Sequence, residues 1–169
     1  MTIAAMLDVI IKREGGFVDD VADSGAATNM GITHATLAAW RGHPVTKDDV
    51  KNLTENEARS IYTQRYLTGP GYNQVASEEL RAVLLDCCVQ FWTDDTNAWL
   101  QRALGVPADG KLGAQTFLAL AKADPRTVAV KIMAQRIRKR GRRITDKPSQ
   151  AKFAAGWANR DADLLESIA

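Results

Sequence analysis

Residues 77–91, SEELRAVLLDCCVQF, decide the fold. Leu80, Val83, Leu84, Cys87, Cys88 and Phe91 fall at i, i+3, i+4, i+7, i+8 and i+11, one face of an α-helix without the alternation a strand requires. Ser77 stands where a side-chain oxygen can cap the first turn. A face this apolar is the seam of a core, so the rest of the chain is expected to be helices packed around it. Cys87 and Cys88 lie inside the seam, adjacent, with no CxxC spacing and no histidine cluster, and read as buried thiols rather than metal ligands.

Working outward from that seam, a helix near 94–104 stops at Gly105 and an Asp109-Gly110 turn follows. Residues 114–123 form another helix. Asp124-Pro125 opens a long basic one, with Asp as cap and Pro at the first helical position. A last helix covers about 157–167. In the other direction, Thr54 and Glu57 read as a capping box for a helix over 54–67, with Leu53 stapled to Ala58, and residues 34–41 are helical. Ile3, Met6, Leu7, Ile10 and Ile11 place a first helix at about 2–13, followed by Gly15-Gly16. Residues 17–33 lose the helical period and fill with Gly, Ser, Asp, Asn and Thr, a loop or short β-hairpin. The fold class is therefore mainly α, with one small loop or hairpin region after the first helix. A bend at Gly69-Pro70-Gly71 is expected to separate a lobe over 1–75 from a helical lobe over 76–169, the two forming one compact unit.

The 169 residues suffice for a core without disulfides or metal. With 46% hydrophobic and 25% charged residues the chain belongs with globular proteins and not with disordered ones. No apolar run approaches the roughly 18 residues a membrane span needs, and the amino terminus lacks the layout of a secretory signal, so the chain is expected to be made in the cytoplasm without classical export. The net charge of +2 hides an asymmetry. Lys131, Arg136, Arg138, Lys139, Arg140, Arg142, Arg143 and Lys147 lie within residues 131–147, opposed by Asp146 alone. Such a stripe suits an anionic polymer, whether nucleic acid, bacterial wall or membrane surface; the alternative is a solvated helix face.

Glu14 is the residue on which chemistry is expected. Counting 3, 7, 10 and 14 keeps it on the stripe of Ile3, Leu7 and Ile10, toward the apolar side, where burial and the carbonyl end of the helix favour a protonated carboxyl. That is the state a general acid needs to cleave a glycosidic bond, and the two glycines leave room for substrate. A partner for the water or the developing positive charge is available among Asp19, Asp20, Asp23 and Thr28. The same residues also admit a plain reading, a solvated helix end and turn-forming aspartates. His34 and His43 have no ligand-spaced company, so no metal is expected, and no Ser-His-Asp or Cys-His set is present.

Glu14-Gly15-Gly16-Phe17 followed by Asp23-Ser24-Gly25-Ala26-Ala27-Thr28-Asn29-Met30-Gly31-Ile32-Thr33 resembles the EGGY and D-P-G-G-x-T-x-Y-G-I-T signature of glycoside hydrolase family 108, the N-acetylmuramidases of phages and bacteria. Phe17, Ala26 and Met30 replace a Tyr, a Gly and a Tyr. The resemblance implies a lysozyme-like helical fold, Glu14 as catalytic acid, and Asp23 with Thr28 as its helpers. Asn29, Tyr62 and Tyr66 are candidates to line the sugar groove, the tyrosines through the segment ARSIYTQRYL at 58–67; a place in the core is open to both. Residues 85–120 are similar to the predicted peptidoglycan-binding region that accompanies this family, through Asp86, Leu100-Gln101, Leu104-Gly105-Val106, Asp109-Gly110, Gly113 and Thr116. Gln90 and Trp92 stand there for Asn and Gly. Phe153, Gly156-Trp157 and Arg160 resemble its F-x-x-G-W-x-x-R ending.

The function so implied is hydrolysis of the β-1,4 bond between N-acetylmuramic acid and N-acetylglucosamine, without a cofactor, by a monomer of the endolysin kind that waits in the host cytoplasm until it is released to the wall. Arg136, Arg138, Arg140, Arg142 and Arg143 would hold anionic wall or membrane polymer. Two neighbouring readings remain: a lytic transglycosylase working with a single acid, and a wall-binding or secretion-assisting protein that keeps the fold without the activity. Nucleic-acid binding is not expected, because no motif accompanies the basic stripe.

Overall fold

A computed structural model describes residues 2–19 and 27–168. The chain is mainly α, as the periodicity of the seam requires, and divides into two compact units, Ala4–Arg65 and Tyr66–Ala169 with Met1–Ile3. No helix among the described residues is long and apolar enough to cross a membrane.

The first unit opens with α1, Ile3–Glu14, whose buried residues are Met6, Leu7, Ile10 and Ile11. A two-stranded antiparallel hairpin follows, β1 Thr28–Asn29 and β2 Ile32–Thr33, with Thr28 opposite Thr33 and Asn29 opposite Ile32. Its turn residues Met30 and Gly31 both have positive φ, 51° and 73°, as the tightest twisted hairpin turns require. The backbone of Val18 pairs with that of Thr28 through bonds of 2.8 and 2.9 Å, so the chain leaving α1 is tied back to the hairpin. Next come α2, His34–Arg41, and α3, Lys47–Lys51, packed on β2 and β1 respectively. The helix α4, Glu55–Thr63, continues into one π-helical turn, Gln64–Thr68, where the chain leaves the unit.

Sequence reading misses α3, and the capping box falls elsewhere than expected. Thr46 and Asp49 exchange both of its bonds at the start of α3. Thr54 accepts the Glu57 amide at 3.2 Å. The Glu57 carboxylate, however, takes a bidentate bond from Arg41, 2.9 Å on each arm, instead of reaching back. That guanidinium holds Glu57 below its usual range.

The second unit is built on α5, Glu78–Leu104, which carries the expected seam; Leu80, Val83, Leu84, Cys87, Cys88 and Phe91 are all buried. Burial pushes the Cys87 thiol up to about 11 and raises Cys88 as well, which leaves both protonated and inert at neutral pH. Helix α7, Pro125–Asp146, is capped by Asp124 and packs along α5, with α6, Ala114–Leu120, and α8, Ala154–Glu166, completing the layer. The predicted gap between helices ending at 91 and starting at 94 is present inside α5. Trp92 there has φ 68° and ψ 166°, a conformation almost reserved for glycine that costs a tryptophan on the order of 1–3 kcal/mol.

Candidate active site

Glu14 is the last residue of α1, and it is exposed. The expected apolar burial is thus corrected. The stripe count is right, but the final turn overhangs the buried part of the helix, and Gly15, at φ +81°, turns the chain away at once. The carboxylate side chain instead packs beside the hairpin turn. A Cβ placed on Gly31 would lie 3.0 Å from both Cβ and Cγ of Glu14, and it would overlap the Tyr62 hydroxyl. Only a bare α-carbon lets the three meet. Tyr62, buried on α4, donates its hydroxyl to the carbonyl oxygen of Met30 at 3.0 Å, fixing the turn from the side of α4. The exposed Glu14 side chain thus lies against a hairpin turn that α4 braces through Tyr62.

The remaining candidates are distributed around this centre. Thr28 is half-buried on β1. Asp23, with Asp20, lies outside the described residues. Asp19 is bound by Lys47 at 2.9 and 3.1 Å. Asn29, expected to touch sugar, is buried and its amide nitrogen donates to the carbonyl oxygens of Val50 and Lys51, 3.0 Å each; its donors are committed to the open carbonyl end of α3. Tyr62 likewise faces inward, a brace rather than a wall of a groove. Tyr66 is half-buried in the second unit. His34 donates to the Val45 carbonyl at 2.7 Å and has a purely structural task. Among the described residues, no group of three or more His, Cys, Asp or Glu side chains could hold a metal ion.

The profile of the glycosyl hydrolase 108 family matches residues 7–91, a span that contains Glu14, the hairpin and Tyr62. The chain belongs to the glycosyl hydrolase 108 family. The solved structure of Brucella abortus SagA is 30% identical with a TM-score of 0.77, covering 98% of this chain and 92% of that one. No curated protein matches the chain. A second profile, the predicted peptidoglycan domain, matches residues 95–162. This glycosyl hydrolase 108 member is therefore a glycoside hydrolase of a peptidoglycan-degrading family, carrying its catalytic and wall-associated regions in one chain.

In the second region most motif residues prove to be scaffold. Gln101 is buried and clamps the 109–111 turn. Its Nε2 donates to Asp109 Oδ1 at 2.7 Å and to the Lys111 carbonyl at 2.9 Å, while Oε1 accepts the Gly110 amide at 2.9 Å. Asp86, wholly inside α5, accepts Arg136 Nη1 at 2.5 Å and Arg160 Nη2 at 2.6 Å. Arg136 reaches on to Asp161 at 2.6 Å, and Arg140 lies 3.3 Å from the same carboxylate. Burial alone would raise the Asp86 carboxyl. The two guanidiniums outweigh it and hold the group below its usual range.

This network corrects the expected basic surface. Arg136 and Arg140 are buried, at 0% and 5% exposure, and serve the core rather than an anionic partner, whereas Arg138, Arg142 and Arg143 do face solvent. Burial, with the Arg136 cation beside it, brings Arg140 down to about 10, so it stays charged at neutral pH. Its guanidinium lies 5.4 Å from the ring centres of both Phe91 and Trp157. A cavity of about 450 Å³ between Leu80, Phe117, Leu120 and Pro125 has no ionisable side chain in its lining and offers nothing to acid catalysis.

Proposed function

We propose that the protein is an N-acetylmuramidase that hydrolyses the β-1,4 bond between N-acetylmuramic acid and N-acetylglucosamine, with Glu14 protonating the leaving oxygen. The observation that carries this is the Glu14 side chain itself, solvent-accessible at the end of α1 and lodged against Gly31 beside the Tyr62 hydroxyl. Asp23 and Thr28 are assigned to the attacking water, in keeping with their place in the family signature; carboxyls about 6.5–9.5 Å apart would give inversion. Tyr66 is assigned to the sugar. The reaction needs proton transfer and charge stabilisation alone, so no cofactor is invoked. The family resemblance further supports a phage-type, bacteriolytic endolysin, acting as a monomer after release from the cytoplasm to the wall.

Digestion of purified peptidoglycan by wild type and Glu14→Gln, with borohydride reduction and mass spectrometry of the new ends, tests this. Reducible muramic acid ends that disappear in the variant are expected. Anhydro ends would reassign the protein to lytic transglycosylases, and intact strands with wild type would leave a wall-binding protein.

A further inference from the structure

Trp92 carries two unfavourable features at one position. Its backbone sits at φ 68°, ψ 166°, where side chains are strained, and its indole is 68% exposed, the most exposed large apolar side chain among the described residues. Among the described residues the indole has no ring contact and no hydrogen bond. The backbone carbonyl of Trp92 accepts from Thr96 Oγ1 at 2.9 Å. Neither feature helps the helix or the core, so the side chain's task is to be sought outside the fold.

The indole stands at the edge of a cavity of about 390 Å³. Of the cations lining it, Lys139 is paired with Asp95 at 3.3 Å. Arg142, Arg143 and Lys147 face Asp146 alone, which leaves a local charge of +2 (three cations less one carboxylate). Arg142 and Lys147 have no partner among the described residues, and Arg143 lies 5.9 Å from the Trp157 ring. Beneath them, Phe91 lines the same cavity and has the Arg136 and Arg140 guanidiniums 5.8 and 5.4 Å from its ring centre. Arg136, Arg140 and Arg160 are set against Asp86 and Asp161, three cations to two anions, and among the described residues no guanidinium nitrogen of Arg140 is hydrogen-bonded. Positive potential therefore converges on an exposed aromatic platform.

We propose that Trp92 with Arg142, Arg143 and Lys147 forms a second glycan subsite, which grips the peptidoglycan strand without taking part in the cleavage. The flat indole suits the C–H face of a pyranose ring, and the cations suit the carboxylates that the stem peptides carry on the same polymer. One platform and three cations are too few for a nucleic acid track, which needs successive stacked bases and a charged groove. The subsite rests on the reading of peptidoglycan as substrate, and it adds retention on the insoluble wall to the chemistry at Glu14.

The test is co-sedimentation of the full chain, in the Glu14→Gln background so that the polymer stays intact, with purified sacculi stripped of phosphate-bearing polymers. Trp92→Gly removes the platform at a position whose backbone glycine prefers, so a loss of binding cannot come from misfolding; a thermal melt verifies this. Trp92→Gly, and separately Arg142→Glu with Lys147→Glu, are expected to weaken sedimentation on the order of tenfold. Amidating the sacculus carboxylates should lower wild-type binding to the level of the charge-reversed variant. Unchanged sedimentation of Trp92→Gly overturns the subsite, as does binding that survives amidation, or retention on vesicles bearing lipid phosphate but not on sacculi. If wild type binds sacculi through Trp92 yet never cleaves them, the muramidase reading fails and the subsite stands.

Discussion

The Tyr62 hydroxyl donates to the carbonyl oxygen of Met30 at 3.0 Å, so a buried residue of α4 fixes the one turn against which Glu14 rests. The bond joins positions 32 residues apart and ties α4 to the hairpin. Tyr62→Phe removes the donor while keeping the ring. The expected cost in stability is about 1 kcal/mol, the net worth of an ordinary hydrogen bond. Wall-lytic activity should fall further than the folded fraction does, because the turn beside Glu14 is loosened; parallel urea melts and turbidity assays on sacculi separate the two losses.

Gly31→Ala meets two obstacles. The residue has φ +73°, and the added methyl would collide with the Tyr62 hydroxyl and crowd Cβ and Cγ of Glu14. A loss of about 1–3 kcal/mol is expected, with activity falling by at least tenfold as Glu14 is displaced. Because one clash is with the hydroxyl alone, Gly31→Ala should cost less in the Tyr62→Phe background than in wild type. A double-mutant cycle reads this as a non-additive term, and strict additivity would mean that the three groups do not meet.

Asn29 separates a structural role from a sugar-binding one. Its amide holds the Val50 and Lys51 carbonyls, both at the end of α3. Asn29→Ala is expected to lower stability by about 2 kcal/mol, most of it from the buried bond, and to leave the KM of the remaining folded enzyme unchanged. A raised KM with an unmoved melting temperature would return Asn29 to the substrate.

The architecture was legible wherever a helix was long and periodic. The seam of α5, the Asp124-Pro125 start of α7 and the break near 92 all follow from spacing and local chemistry. Helix α3 was not, since KDDVK offers one apolar residue in five; its only signal is Thr46-x-x-Asp49, the capping box that holds it. Glu14 shows the limit of a stripe count, which gives a direction around the helix but not how far the core extends along it. The buried arginines were misread because their counterions are remote in sequence, Asp86 by 50 positions and Asp161 by 25. The available clue was Asp86 itself, a carboxylate between Leu85 and Cys87 in an apolar stretch of sequence, which has to be met by buried cations.

Trp92→Gly is expected to raise stability by about 1 kcal/mol, even though it deletes a large side chain, because the exposed indole contributes little to the core and the backbone strain disappears. Trp92→Ala, which keeps the strain, should stay within about 0.5 kcal/mol of wild type. A chemical denaturation series over the three proteins checks the order. Destabilisation by glycine would show that the indole packs in the folded state.

Asp86 sets the acid limit of the second unit. Its folded carboxyl titrates below the ordinary range, so by linkage its contribution is complete above the unfolded value of about 3.9 and is lost as pH falls toward the folded one. Asp86→Asn leaves Arg136 and Arg160 buried without their shared anion and should cost about 3–5 kcal/mol at neutral pH. That gap between wild type and variant should stay level from pH 7 to about 5 and then narrow below about 4, as the unfolded wild-type chain takes up a proton that its folded form resists. Urea melts of both proteins at pH 7, 5, 4 and 3 measure it. A gap that persists undiminished at pH 3 would mean that the Asp86 carboxyl takes up its proton equally in the folded and the unfolded chain, and that Arg136 and Arg160 do not hold it below the ordinary range.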